Sequence, residues 1–141
     1  MKVIYTAHVT SVAGRDGNAR SDDGKIDLQL GRPGSSDEGT NPEQLFAAGY
    51  SACFGSAIAH VAKLKQIEAG EVLVEAEVSL LQDDSGFSLM VGLHTSIEGV
   101  DEQTAQQLVA TAHTVCPYSK ATRGNIQVSL SANGQEVAQA A

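Results

Sequence analysis

The stretch from Leu45 to Ala62 constrains the fold more than any other part of the sequence, because it carries no formally charged side chain. It is built mostly of Ala, Gly and Ser. Its strongly apolar side chains are Leu45, Phe46, Phe54, Ile58 and Val61. A membrane-spanning helix of this marginal length needs a stronger apolar signal. We therefore expect a buried core helix and no membrane-spanning segment.

The residues that flank this stretch mark the ends of the helix. Asn41 is a favourable N-cap, Pro42 suits the first helical position, and the Glu43 carboxylate complements the positive end of the helix dipole. Lys63 near the other end, followed by Gly70, indicates a C-terminus. The helix is apolar nearly all round, which is typical of a central helix packed on several sides.

The rest of the chain shows two kinds of period. Alternating apolar and polar residues predict strands over residues 2–10, 26–30, 71–82, 87–97 and 126–130. Helical spacing of apolar residues predicts a second helix over 101–116, and residues 135–141 are expected to be a loose tail. Turns at 14–17 and 21–24 make the first part of the chain a short antiparallel meander, and the order βββ-α-ββ-α-β predicts an α+β fold, in which antiparallel sheets pack against a central buried helix and a second helix.

Length and charge limit the function. A chain of 141 residues is most simply a single domain, 1–141, with one sizeable core. The net charge of −8 argues against nucleic acid as a partner, because phosphate binding needs clustered Lys and Arg. Residues Met1–Tyr5 lack the long apolar stretch of a secretory signal, so we expect a cytoplasmic protein.

Two cysteines, Cys53 and Cys116, are the strongest chemical signal. In a reducing compartment, two distant thiols are more often catalytic or redox-active than a structural disulfide. Either could instead be an inert buried thiol, a common fate of a free cysteine. Cys53 lies about three turns into its helix, too far for the helix dipole to be its main activator. A reactive Cys53 therefore needs a cation from elsewhere to lower its pKa.

Arg15 is the candidate for that cation. It lies in the turn 14–17, which could project its guanidinium into a pocket, although a solvated turn arginine is the alternative. Glu43 could hold Arg15 through a bidentate ion pair, or could act only on the helix dipole. Glu43 and Cys53 are ten residues apart, about 15 Å along a straight helix, which is too far for direct contact. Arg15 must then bridge them, the helix must break, or a second subunit must supply one group.

A metal site is another possible use of these side chains. His113 and Cys116 are spaced i, i+3, and His60 or Cys53 could add a further zinc ligand. No CxxC or HxxxH spacing is present in the sequence. We therefore expect no metal.

Several segments carry a family resemblance. They are the turn Gly14–Gly17, residues Asn41–Phe54 around the first cysteine, and residues Val115–Ser119 and Ala121–Ile126 around and after the second. With these motifs the sequence resembles the organic hydroperoxide resistance (Ohr) branch of the OsmC/Ohr family. The resemblance extends over roughly residues 2–131.

The resemblance implies a thiol-dependent peroxidase that reduces organic hydroperoxides to alcohols. Cys53 matches the family's peroxidatic cysteine, and Cys116 matches its resolving cysteine. Arg15 matches the arginine that activates the thiolate, and Glu43 matches the glutamate that orients this arginine. The resemblance implies no metal, flavin or other cofactor.

The resemblance also implies partners and a substrate class. Family members form an intertwined homodimer with two active sites at the subunit interface. Dihydrolipoyl groups, such as those of a lipoylated protein, are their usual external dithiol reductant. Phe46 and Phe54 are apolar neighbours of Cys53, and they are candidates to favour alkyl or lipid hydroperoxides over hydrogen peroxide.

Three alternatives stay open. The first, within the family, is an OsmC-type peroxidase with a broader osmotic or oxidative stress role, although the motifs at 14–17 and 115–118 favour the Ohr branch. The second is a non-enzymatic thiol redox sensor or small-ligand binder. The third is a metal-binding module.

Overall fold

The computed structural model describes residues 1–36 and 38–139. Its contacts divide the chain into two compact units, Met1–Leu45 and Phe46–Ala141. The strands are β1 (Val9–Val12), β2 (Asn18–Ser21), β3 (Asp27–Gln29), β4 (Val72–Asp83), β5 (Gly86–Ile97), β6 (Val128–Ala132) and β7 (Gln135–Glu136). The α-helices are α1 (Pro42–Leu64), α2 (Glu102–Val115) and α3 (Pro117–Thr122), and Gly14–Asp16 form a single 3-10 turn. The α+β class is confirmed, whereas the single domain stays a prediction.

The first unit contains a small antiparallel sheet in the order β1-β2-β3. The prediction of a strand over residues 2–10 is wrong at residues 2–8, because β1 begins at Val9. β2 has only four residues, and a turn follows directly after it. Residues 2–8 therefore have no strand opposite them within the described part of the chain.

The second unit contains a sheet in the order β4-β5-β6-β7. β4 and β5 form a long antiparallel hairpin that closes where Asp83 pairs with Gly86. β6 pairs with β5 in the parallel direction, so the expectation of purely antiparallel sheets is wrong for this pair. The chain leaves β5 and returns through α2 and α3, and a helical crossover of this kind brings in the next strand parallel.

The predicted loose tail over residues 135–141 is wrong at residues 135–137. Asn133 and Gly134 have left-handed φ angles of 49° and 83°, the backbone of a tight hairpin turn. The turn folds β7 back along β6, and Val137 is 5% exposed. The last two residues of the chain lie outside the described residues.

One face of helix α1 packs into the core of the second unit. The large buried side chains along this face are Tyr50, Phe54, Ile58 and Val61. The helix is long and apolar enough to cross a membrane by length and composition alone, a test that the core helix of a soluble protein also passes. The expected burial is confirmed for this face, whereas the opposite face, which carries Ala48, Ala52 and Ser56, is exposed in the single chain.

Candidate active site

The two cysteines come together in the second unit. Cys53 lies midway along α1, and Cys116 lies between α2 and α3. The Cys116 and Cys53 sulfur atoms lie 3.5 Å apart, within hydrogen-bonding distance, and both thiols are free. A disulfide bond is about 2.05 Å long, so the two sulfur atoms need only a small further approach to form one.

The local sequence explains the position of Cys116. Helix α2 ends at Val115, because Pro117 has no N–H to donate into a continued helix. Pro117 then opens α3 at a first-turn position, where a proline ring is well tolerated. Cys116 forms the extended link between the two helices and is fully buried, whereas Cys53 is only partly buried.

The surroundings of Cys53 in this unit disfavour its thiolate. Burial raises the pKa of the Cys53 thiol, the backbone N–H of Tyr118 opposes this by donating a hydrogen bond to the sulfur, and Cys116 raises the pKa further. The net effect raises the pKa of Cys53 above that of an ordinary cysteine, so these surroundings disfavour the thiolate. The requirement for a cation from elsewhere, inferred from the sequence, is therefore reinforced.

The first unit holds the candidate cation and its carboxylate together. Nη1 of Arg15 donates to Oε2 of Glu43 at 2.8 Å, and Nη2 donates to Oε1 at 2.5 Å. This is the bidentate ion pair that the sequence suggested. The hydrogen bonds from Arg15 hold the pKa of Glu43 below its usual range, and Glu43 raises the pKa of Arg15. The Arg15 side chain is 40% exposed and that of Glu43 is 11% exposed, so the guanidinium is oriented while part of it stays accessible.

The turn that carries Arg15 has a constrained backbone. Gly14 has a left-handed φ of 55°, and a Cβ at Gly17 would overlap a neighbouring backbone carbonyl, so this position needs glycine. Asp16 accepts two hydrogen bonds from Arg32, at 2.8 and 2.9 Å. Two consecutive residues of the turn therefore each take part in a bidentate ion pair.

Sequence reasoning missed a buried hydrogen-bond network beside the cysteines. The Tyr50 hydroxyl lies 2.9 Å from Oγ of Ser119 and 3.1 Å from Oγ1 of Thr122. Nδ1 of His113 lies 2.9 Å from the same Ser119 oxygen, and burial, aided by Arg123, lowers the pKa of His113. The signal that could have revealed the network is Tyr50 itself, because a tyrosine hydroxyl in an apolar helix needs a partner once it is buried.

A cavity of about 700 Å³ lies in the second unit. Its apolar wall includes Phe46, Phe87, Leu89, Pro117, Tyr118 and Ile126. Phe46, one of the two predicted substrate contacts, therefore lines an apolar space. Pro117, the residue after Cys116, lines the same space. Phe54, the other, is fully buried in the core and packs against the rings of Tyr50 and His113.

The metal alternative depended on His113 with Cys116, and on His60. Within residues 1–36 and 38–139, no group of three or more His, Cys, Asp and Glu side chains is placed to hold a metal ion. His113 instead forms a hydrogen bond with Ser119, and His60 is exposed on α1.

Comparison with known proteins places the chain in a family. The family model described as OsmC-like protein matches residues 34–131, more than half of the chain. The chain belongs to the OsmC-like family. Both cysteines and Glu43 lie within the matched residues, and Arg15 precedes them.

Curated members of the OsmC-like family are similar over nearly their whole length. The organic hydroperoxide resistance protein OhrB of Bacillus subtilis is 50% identical over 132 residues, which cover 90% of this chain and 96% of the relative. An organic hydroperoxide resistance protein of Xanthomonas axonopodis pv. citri is 48% identical over 134 residues, which cover 92% of this chain and 94% of the relative.

Solved OsmC-like structures share the fold. The crystal structure of Bacillus subtilis OhrB matches with a TM-score of 0.88 and covers 92% of this chain and 99% of that chain. A putative organic hydroperoxide resistance protein of Vibrio cholerae, crystallised with captopril in one of its active sites, matches with a TM-score of 0.91 at 44% identity and covers 97% of each chain. The predicted OsmC/Ohr-like fold is thereby confirmed.

Proposed function

We propose that this protein is a thiol-dependent peroxidase that reduces organic hydroperoxides to alcohols. The observation that carries the proposal is the 3.5 Å separation of the Cys53 and Cys116 sulfur atoms. The relatives of this chain are named for resistance to organic hydroperoxides. Peroxide reduction by a two-cysteine protein needs one thiolate to attack and a second thiol to close the disulfide, and this pair supplies both.

Cys53 is the proposed peroxidatic cysteine. Its thiolate attacks the distal oxygen of the hydroperoxide, so that an S–O bond forms and the O–O bond breaks. The departing alkoxide takes up a proton and leaves as the alcohol, and Cys53 becomes a sulfenic acid. Because its own surroundings raise the pKa of Cys53, the proposal assigns stabilisation of the thiolate and of the developing alkoxide to Arg15, oriented by Glu43.

Cys116 is the proposed resolving cysteine. Its sulfur attacks the sulfenic acid of Cys53, the S–S bond forms, the S–O bond breaks, and the hydroxyl leaves as water with the thiol proton of Cys116. An external dithiol then reduces the disulfide by exchange and is itself oxidised to a disulfide. A dihydrolipoyl group of a lipoylated protein is the proposed reductant, and the proposed cycle uses no metal or flavin.

The apolar cavity supports an organic hydroperoxide as the substrate. Aromatic and aliphatic walls favour the alkyl or aryl group of such a molecule and contribute little to binding of hydrogen peroxide. We assign contact with the organic group to Phe46 and Phe87, which both line the cavity. Phe54 supports the site from within the core.

The proposal includes the intertwined homodimer. Val3, Ile4 and Tyr5 are 78%, 92% and 79% exposed, and the outer face of α1 is exposed as well. Large apolar side chains left exposed in this way are typical of a surface that another chain covers. A cytoplasmic location completes the proposal, because a reducing compartment returns the cysteines to thiols.

Continuous turnover tests this function. Reduced protein should consume cumene hydroperoxide as long as dihydrolipoamide is supplied, with one cumyl alcohol formed for each dithiol oxidised. Hydrogen peroxide should be the poorer substrate, whereas similar kcat/KM for both would favour an OsmC-type peroxidase of broader role. Oxidation that stops after one equivalent despite excess dithiol would contradict the proposal and favour a redox sensor.

A further inference from the structure

The buried hydrogen-bond network around Tyr50 lies at the same sequence spacing from each of the two cysteines. Tyr50 precedes Cys53 by three residues on α1, and Ser119 follows Cys116 by three residues in α3. The hydrogen bond between Tyr50 and Ser119 therefore joins the same two segments as the sulfur pair, about one helical turn from each sulfur.

We propose that the Tyr50 hydroxyl, with Ser119 and Thr122, positions Cys116 for disulfide closure with Cys53. The inference rests on the proposed function, because it assigns a role within the resolving step. These groups are positioning residues, since the reacting atoms are the two sulfurs and the departing oxygen.

Helix α3 depends on such anchors because it is short. It has six residues, and its N-cap, Cys116, makes no side-chain capping hydrogen bond. An isolated helix of this length is unstable in water, so its position is set by tertiary contacts. Ser119 and Thr122 are 0% and 4% exposed, and their hydroxyls reach the single Tyr50 hydroxyl of α1. Cys116, at the start of α3, moves with this anchor.

Ser119 also ties α3 to α2. Its hydroxyl contacts both the Tyr50 hydroxyl and Nδ1 of His113, so one oxygen atom connects three helices. The ring of Tyr118 packs against α1 at Gly49, where a Cβ would lie 2.7 Å from the Tyr118 hydroxyl oxygen. Packing of the Tyr118 ring brings α3 close to α1, and the directional hydrogen bonds fix the position of α3 along α1.

Small displacements matter at this site because the sulfur atoms are already 3.5 Å apart. Looser attachment of α3 would spread the Cys116 sulfur over a larger volume, and its effective concentration towards Cys53 would fall. The network is therefore expected to favour the disulfide over the dithiol.

The experiment measures the thiol–disulfide equilibrium of the native full-length protein against reduced and oxidised glutathione, which needs no hydroperoxide. Oxidised glutathione takes up the two electrons of the protein dithiol, and the equilibrium gives the effective concentration of Cys116 towards Cys53. We expect Tyr50→Phe and Thr122→Val to lower this effective concentration about three- to tenfold, the value of one or two lost hydrogen bonds. Thr122→Ser, which keeps the hydroxyl, should stay close to the wild-type value.

Thr95→Val is the matched control. Thr95 is 2% exposed, and its hydroxyl has no hydrogen-bond partner among the described residues. This variant removes a buried hydroxyl from the same unit without breaking a hydrogen bond, so its effective concentration should equal that of the wild type.

An effective concentration that is unchanged or raised in Tyr50→Phe and Thr122→Val would overturn the inference. A network that only stabilised the fold would contribute equally to the free energy of unfolding of the reduced and the oxidised protein, and the equilibrium would not shift. Failure of the wild-type protein to turn over hydroperoxide would refute the proposed function alone, because the glutathione equilibrium would still measure the positioning of Cys116.

Discussion

The Arg15–Glu43 pair and the Cys53–Cys116 pair are held in place by opposite kinds of structure. The first lies on a constrained turn and a helix start, and charge-assisted hydrogen bonds with both groups partly exposed hold it together. The second lies between packed helices, where Cys116 is fully buried and its neighbours form hydrogen bonds with Tyr50.

The difference separates two tasks of the proposed reaction. A buried sulfur is well placed to meet its partner, but burial raises the pKa of Cys53 and disfavours the attacking thiolate. Arg15, held on its turn by a bidentate ion pair, carries the positive charge that the surroundings of the Cys53 sulfur lack. Changes in the first region should therefore alter attack on the peroxide, and changes in the second should alter closure of the disulfide.

The cysteine substitutions should give the largest effect. Cys53→Ser should reduce hydroperoxide consumption to the protein-free rate, because the hydroxyl is not a nucleophile at neutral pH. Cys116→Ser should permit one oxidation and then stall at a Cys53 sulfenic acid, detectable by dimedone labelling and mass spectrometry. Persistent turnover by Cys53→Ser would refute the division of tasks.

Arg15→Ala should give the next largest effect. Removal of the cation should raise the pKa of Cys53 and slow oxidation at neutral pH about ten- to a thousandfold. Thiolate absorbance should titrate at higher pH, and the pH–rate profile should move in the same direction.

Arg20→Ala is the control for this substitution, because Arg20 is an exposed arginine of β2, the strand that follows the Arg15 turn. Both the titration and the rate of this variant should match the wild type. A thiol titration unchanged in Arg15→Ala would remove Arg15 from the mechanism.

Glu43→Gln should have a smaller effect, about two- to tenfold on kcat/KM, since it frees the guanidinium without removing its charge. In a double-mutant cycle with Arg15→Ala, the loss from Glu43→Gln should vanish, because Glu43 acts through Arg15. Glu102→Gln is the matched control, because Glu102 also lies in the first turn of a helix. Additive losses in the cycle would indicate that Glu43 acts only on the helix dipole.

Phe87→Ser should have an effect of similar size, but with one of the two peroxides only. Phe87 lines the apolar cavity and is 70% exposed, so its replacement should change substrate contact more than folding. The kcat/KM for cumene hydroperoxide should fall about two- to tenfold, with the value for hydrogen peroxide unchanged. Leu73→Ser, at a 59% exposed position of β4, should leave both values unchanged. Equal losses with the two peroxides would remove the cavity from substrate selection.

Locally encoded elements were predicted well from the sequence. The Asn41–Glu43 cap locates the start of α1, and the turn after Asp83 defines the β4–β5 hairpin. Asn133-Gly134 is also a local hairpin signal, and it would have corrected the expectation of a loose tail.

Features that depend on distant segments could not be predicted in this way. The parallel pairing of β6 with β5 results from the path of α2 and α3, which no local period records. The 3.5 Å separation of Cys53 and Cys116 joins residues 63 positions apart. The Tyr50 network likewise spans 69 and 72 positions, to Ser119 and Thr122. The residue types could be chosen from the sequence, whereas their distances follow from packing of the whole unit.

Mass spectrometry after a single equivalent of cumene hydroperoxide tests the central claim most directly. Reduced protein should yield one disulfide between Cys53 and Cys116 of the same chain, with one cumyl alcohol formed and no disulfide-linked dimer. Cys53 that stays a thiol, or a disulfide that links two chains, would contradict the account.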